Sequence, residues 1–139
     1  MINVSNPSTW RVLVVDDEDD SVEIVQMVLS AVGASVYKAS NGEEGLAVFR
    51  NERPNLVLTD ISMPAIDGSE MLKAIREREV AFGFPKTPVI ALTAHTMVGD
   101  KDKYLNAGFD GYLGKPLHMM TLIEDLIGWV NKTTYNESL

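Results

Sequence analysis

"RVLVVDDEDD" (residues 11–20) runs four apolar residues, Val12 to Val15, straight into Asp16, Asp17, Glu18, Asp19 and Asp20. A strand that is apolar at every position is buried on both faces, which is the mark of a parallel sheet covered by helices on each side. The same design recurs in "NLVLTD" (55–60), where a second apolar run closes on Asp60. Two carboxylates about 4 Å apart near a protein surface repel by roughly 4 kcal/mol. Acidic residues gathered at the ends of buried strands therefore need a counter-charge.

Outward from this stretch, "ASVYKA" (34–39), "TPVIALTA" (87–94) and "DGYLG" (110–114) read as further short strands. Between them, "SVEIVQMVLSAVG" (21–33) places Ile24, Val25, Val28, Leu29 and Val32 at helical spacing, with Gly33 as a stop. "NGEEGLAVFRNERP" (41–54) opens on Asn41 and closes on Pro54. "ISMPAIDG" (61–68) is a loop whose Asp67–Gly68 turn launches the helix "SEMLKAIRERE" (69–79). "HTMVGDKDKYLNAG" (95–108) is a weaker helix, and "LHMMTLIEDLIGWV" (117–130) is the last. Five strands alternating with five helices predict an α/β fold: a doubly wound, flavodoxin-like five-stranded parallel sheet, in the order 2-1-3-4-5 common to such sheets. One domain over residues 10–131 is expected, with an N-terminal extension (1–9), a polar C-terminal tail (132–139) and no output domain read in the stretch after residue 131.

Composition narrows the function. The absence of cysteine removes disulfides and thiolate metal sites. No apolar run approaches the ~18 residues of a membrane span, and "MINVSNPSTW" (1–10) lacks the basic and apolar regions of a signal peptide, so a cytoplasmic location with no membrane contact is expected. A net charge of −8 opposes direct nucleic-acid binding, which depends on Lys and Arg neutralising phosphates, and suits a divalent cation.

In open parallel sheets, ligands bind beyond the carboxyl ends of the strands where the strand order reverses. In the predicted order strands 1 and 3 are neighbours, so Asp16, Asp17 and Asp60 converge in one crevice. A hard cation bound by oxygens turns their repulsion into attraction. Thr93, at the end of strand 4, and Lys115, after strand 5, fall on the same edge. Without histidine or cysteine in the set, zinc is a poor fit. A carboxylate nucleophile, a metal and donors for phosphoryl oxygens suit phosphoryl transfer.

With "VLVVDDE" (12–18), "LVLTDISMPAIDG" (56–68), "ALTAH" (91–95) and "AGFDGYLGKP" (107–116) in order, residues 10–131 resemble the receiver domain of two-component response regulators. The resemblance implies that Asp60 is the phosphoacceptor, taking its phosphoryl group from a sensor histidine kinase or a histidine phosphotransfer protein. It implies Mg²⁺ held by Asp16, Asp17, Asp60 and the backbone carbonyl of Ser62. It gives Thr93 and Lys115 phosphoryl contacts, and Tyr112 (with Thr93) a switch role that alters the face of helix 4, strand 5 and helix 5. It implies a cis peptide at Lys115–Pro116, a place where cis bonds are tolerated. His95, two residues after Thr93, falls where the family tunes phosphoryl lifetime, and reads equally well as an exposed helix-start histidine. The motifs are similar to receivers of hybrid kinases and of stand-alone regulators. The protein is then a signalling switch rather than an enzyme, catalysing only its own Mg²⁺-dependent phosphorylation and slow dephosphorylation.

Two other classes fit these residues less well. An aspartyl-phosphate phosphatase of the haloacid dehalogenase type needs a second Asp two residues after the nucleophile, where this chain has Ser62. A flavodoxin-like cofactor binder would set a flavin phosphate against a cluster of carboxylates. Helix 5 carries a wide apolar arc: Met119, Ile123, Leu126, Ile127 and Val130 at its centre, flanked by Leu122, Trp129 and Met120. The surplus suits packing at the sheet edge, or a contact with a downstream protein or a second copy in a phosphorylation-dependent homodimer.

Overall fold

The computed structural model describes residues 2–63, 66–94 and 100–138, with side chains throughout these except at 100–102 and 133–138. After a 3-10 turn at Pro7–Thr9, the elements are β1 (Arg11–Val15), α1 (Asp19–Ala31), β2 (Ser35–Ala39), α2 (Gly42–Glu52), β3 (Leu56–Asp60), α3 (Gly68–Phe82), β4 (Val89–Thr93), α4 (Asp100–Asn106), β5 (Gly111–Gly114) and α5 (Leu122–Ser138). The strands form one sheet, parallel as the alternation predicted and in the order expected from such sheets, β2-β1-β3-β4-β5.

Side chains alternate across a strand, so each apolar strand feeds two cores. Val12, Val14, Leu58, Ile90 and Leu92 join one core with α1 and α5, which also holds Trp10. Leu13, Val15, Val57, Val89 and Ala91 join the other, with α2, α3 and α4. The N-terminal extension is packed rather than loose: Ile2 and Val4 lie against the first core, and the Trp10 indole donates to the Asn3 carbonyl at 2.7 Å.

Local chemistry sets the helix starts. The Asn41 side chain accepts from the Glu44 N–H at 2.8 Å, and Asp67 accepts from Glu70 at 2.9 Å, each satisfying an orphan donor of the first turn. Gly68 follows because a Cβ there would lie 2.6 Å from the backbone oxygen of Asp60. Only glycine lets α3 start so close to the end of β3.

Three boundaries differ from expectation. Helix α3 runs through Val80–Phe82, so the linker to β4 begins at Gly83, whose left-handed backbone (φ 67°) caps the helix. Helix α5 begins at Leu122 rather than at residue 117, and helical backbone continues to Ser138 through the stretch read as a polar tail. Its buried stripe is Leu122, Leu126 and Val130, while Met119 is 48% and Met120 92% exposed. Met119 therefore leaves the expected core stripe and Leu122 enters it, because residues 117–121 turn after Pro116 instead of extending the helix.

Candidate functional site

Strands β1, β3, β4 and β5 all point their carboxyl ends at one edge, and the sheet register brings four of the predicted residues there. Asp16 follows β1, Asp60 closes β3, Thr93 closes β4 and Lys115 follows β5. Asp16, Asp60 and Thr93 are buried; Asp17 is exposed. The Lys115 ammonium lies 2.8 Å from Asp16 Oδ2, 3.4 Å from Asp60 Oδ2 and 3.6 Å from Glu18 Oε1. One cation thus sits among three carboxylates.

Backbone groups orient the acids. Asp16 Oδ1 accepts from the Glu18 N–H at 2.9 Å, bending the chain towards α1. Asp60 Oδ1 accepts from the Ser62 N–H at 3.3 Å. The Lys115 N–H donates to the Thr93 carbonyl at 2.8 Å, tying the last two strand ends together. The Lys115–Pro116 peptide is cis, as the resemblance implied.

Electrostatics shift both partners upward. Burial, then the charge of Asp16, raises the Asp60 pKa above the ordinary carboxylate value of 3.8, against the lowering pull of Lys115 and the Ser62 N–H. Burial alone would lower Lys115, but its contacts with Asp16, then with Asp60 and Glu18, outweigh burial and raise its pKa above 10.5.

The donor set suits a hard divalent cation. Oxygens from Asp16, Asp17, Glu18 and Asp60 can all lie within 4.8 Å of one another. Asp16 Oδ2 is buried and reaches hydrogen-bond distance of Lys115 without hydrogen-bond direction, so it keeps its acceptor capacity. Hard cations such as Mg²⁺ take oxygen ligands, and carboxylates are among them. The Glu18 side chain is exposed, yet it faces the lysine and joins the acidic group.

Beyond the acids, Thr93 Oγ1 lies 2.8 Å from the Tyr104 hydroxyl. Tyr104, on α4, was not singled out in the sequence, where it reads only as an apolar-face residue of a weak helix. Its ring packs on Tyr112 (centroids 6.1 Å), and Tyr112 packs on Trp129 of α5 (4.9 Å). Tyr112 is half-buried in this stack. Trp129 also lies over Gly111, where a Cβ would meet the indole at 2.4 Å. His95 lies outside the described residues. An apolar groove between Phe49, Phe84 and Pro88 lies at the opposite ends of the strands and carries none of these groups.

Comparison with known proteins agrees with this geometry. The family model described as response regulator receiver domain matches residues 12–127. The sensor histidine kinase GacS of Pseudomonas protegens is 35% identical over 127 residues, covering 91% of this chain and 14% of the kinase. The transcriptional regulatory protein TrcR of Mycobacterium tuberculosis is 35% identical over 136 residues, covering 98% of this chain and 51% of the regulator. The chain thus spans from a seventh to about half the length of these relatives. Among solved structures, the chemotaxis response regulator CheY4 of Vibrio cholerae superposes with a TM-score of 0.76 at 31% identity, covering 87% of this chain and 98% of that one. The receiver domain of the Saccharomyces cerevisiae regulator Ssk1, solved with the histidine phosphotransfer protein Ypd1, belongs to a complex that matches with a TM-score of 0.77 at 30% identity, covering 87% of this chain and 88% of the matched one.

Proposed function

The chain belongs to the response regulator receiver family, and on that premise we propose that Asp60 is the phosphoacceptor of a signalling switch. The observation that carries this is the meeting of Asp16, Asp60 and Lys115 at one sheet edge, with the ammonium 2.8 Å and 3.4 Å from the two carboxylates.

The ionised Asp60 carboxylate attacks the phosphorus of a phosphohistidine; the P–O bond forms as the P–N bond breaks, and the imidazole leaves. Lys115, already beside Asp60, offsets the negative charge that the phosphoryl group brings. Asp16, Asp17, Asp60 and the Ser62 carbonyl would hold Mg²⁺, and the bound ion would supply positive charge to the phosphoryl oxygens. The Thr93 hydroxyl turns to hydrogen-bond the phosphoryl group. Tyr112 responds, and the face formed by α4, β5 and α5 changes for a downstream protein target or a second copy of the chain. The protein catalyses only its own Mg²⁺-dependent phosphorylation and slow dephosphorylation.

The donor is a sensor histidine kinase or a histidine phosphotransfer protein. A sensor kinase among the relatives, and a phosphotransfer protein bound to a similar receiver, support this partner class. A cytoplasmic location follows from such a donor, whose phosphohistidine is made there from ATP.

Intact-mass measurement after incubation with acetyl phosphate and Mg²⁺ tests the reading. One alkali-labile phosphoryl group is expected on the parent and none on Asp60→Asn. Equal labelling of the variant would remove Asp60 from its role.

A further inference from the structure

The hydroxyls of Thr93 and Tyr104 lie 2.8 Å apart, and both side chains are buried. Tyr104 touches two things at once: the hydroxyl at the end of β4, and, through its ring, the Tyr112–Trp129 pair that joins β5 to α5. We propose that Tyr104 is a positioning residue, a latch that holds the Thr93 hydroxyl on the α4 side until the phosphoryl group draws it away. The proposal rests on the reading of Thr93 as a phosphoryl contact.

The geometry makes the latch two-state. The Thr93 main chain is held at the sheet: Thr93 pairs with Gly114 across β4 and β5, its carbonyl accepts from Lys115, and its neighbour Leu92 pairs with Asp60 across β3 and β4. Its hydroxyl can therefore be redirected only by rotation about χ1. A β-branched side chain has few χ1 wells, so this is a jump between discrete positions rather than a gradual swing. One position meets Tyr104. Leaving it ends the contact that ties the strand end to the Tyr104 ring, and frees that ring to shift against Tyr112. A hydrogen bond present in only one of two states biases their populations by about five- to tenfold. Tyr104 thus opposes the activated arrangement and couples it to the aromatic stack.

The test is binding of beryllofluoride, an unreactive phosphoryl analogue, to the full 139-residue chain in Mg²⁺, followed by calorimetry and by tryptophan fluorescence. Tyr104→Phe keeps the ring and removes the latch. It is expected to bind beryllofluoride about five- to tenfold more tightly than the parent. In a Thr93→Val background, or Thr93→Ala as a second one, the same substitution is expected to give a clearly smaller gain, because the hydroxyl it releases is gone. Equal affinity of parent and Tyr104→Phe, or an equal gain with and without the Thr93 hydroxyl, would overturn the latch while leaving Asp60 as acceptor. A parent that binds no beryllofluoride and takes no label from acetyl phosphate would overturn the acceptor reading, and the latch with it.

Discussion

Lys115 Nζ lies 2.8 Å from Oδ2 of Asp16, a carboxylate whose side chain has no exposed surface. Removing one member of a buried ion pair strands the other charge, at a cost of about 3 kcal/mol or more. Lys115→Met is expected to lose stability of that order in chelator, as read from urea melts. Mg²⁺ should restore more stability to the variant than it adds to the parent, because the stranded carboxylates are the ligands proposed for it. The raised Lys115 pKa makes this contribution fully present below 10.5 and lost only as pH rises through its folded value, so the parent should weaken in strong alkali.

Asp60 carries the opposite cost. Its pKa is raised in the folded chain, so the ionised form opposes folding, and the opposition disappears as pH falls through the raised value towards 3.8. Asp60→Asn should therefore be more stable than the parent at pH 7 without Mg²⁺. That advantage should shrink on acidification and vanish below 3.8. Denaturant melts of both proteins across this range check the sign.

Asp17 is exposed and belongs to the acidic group whose oxygens can lie within 4.8 Å of one another. Asp17→Ala should slightly stabilise the metal-free chain by relieving repulsion. A ligand at a hundred times its Kd stabilises by about 2.7 kcal/mol. At a Mg²⁺ concentration that gives the parent this increment, the variant should gain clearly less. Equal gains would remove Asp17 from the ligand set.

Gly68 binds fold and site together. An alanine Cβ there would lie 2.6 Å from the Asp60 backbone oxygen and 3.0 Å from the Ile61 Cα, with no flexible side chain to give way. Gly68→Ala should cost about 1–3 kcal/mol, the range for overpacking, and should slow labelling of Asp60 by acetyl phosphate.

Leu122 and Leu105 separate core from surface on the proposed output face. Leu122 is 1% exposed, so Leu122→Glu should unfold the chain instead of sparing Asp60 phosphorylation. Leu105, on α4, is 40% exposed. Leu105→Glu should keep the fold and Asp60 labelling, and weaken self-association of the beryllofluoride-bound chain in sedimentation.

Much of this protein is legible in one dimension. Each site carboxylate ends or follows an apolar run, and a parallel sheet must bring such ends to a single edge. Asp16, Asp60, Thr93 and Lys115 could therefore be placed together before any contact was known. The cap at Asp67 and the break at Pro116 are equally local, since they depend on backbone groups within a few residues. Other features were decided only by packing. The apolar arc of α5 was visible, but its angle against β5 was not. That angle sends Leu122 into the core, lays Trp129 on Gly111 and Tyr112, and leaves Met120 to solvent. Glu18 turned out to face Lys115 because Asp16 bends the chain between β1 and α1. Tyr104 looked like any helix residue until α4 set it against Thr93, eleven positions earlier. Periodicity and backbone hydrogen bonding act along the chain and can be read from residue spacing. Contacts between elements depend on crossing angles and side-chain volumes, and these exist only once the whole sheet has closed over its two cores.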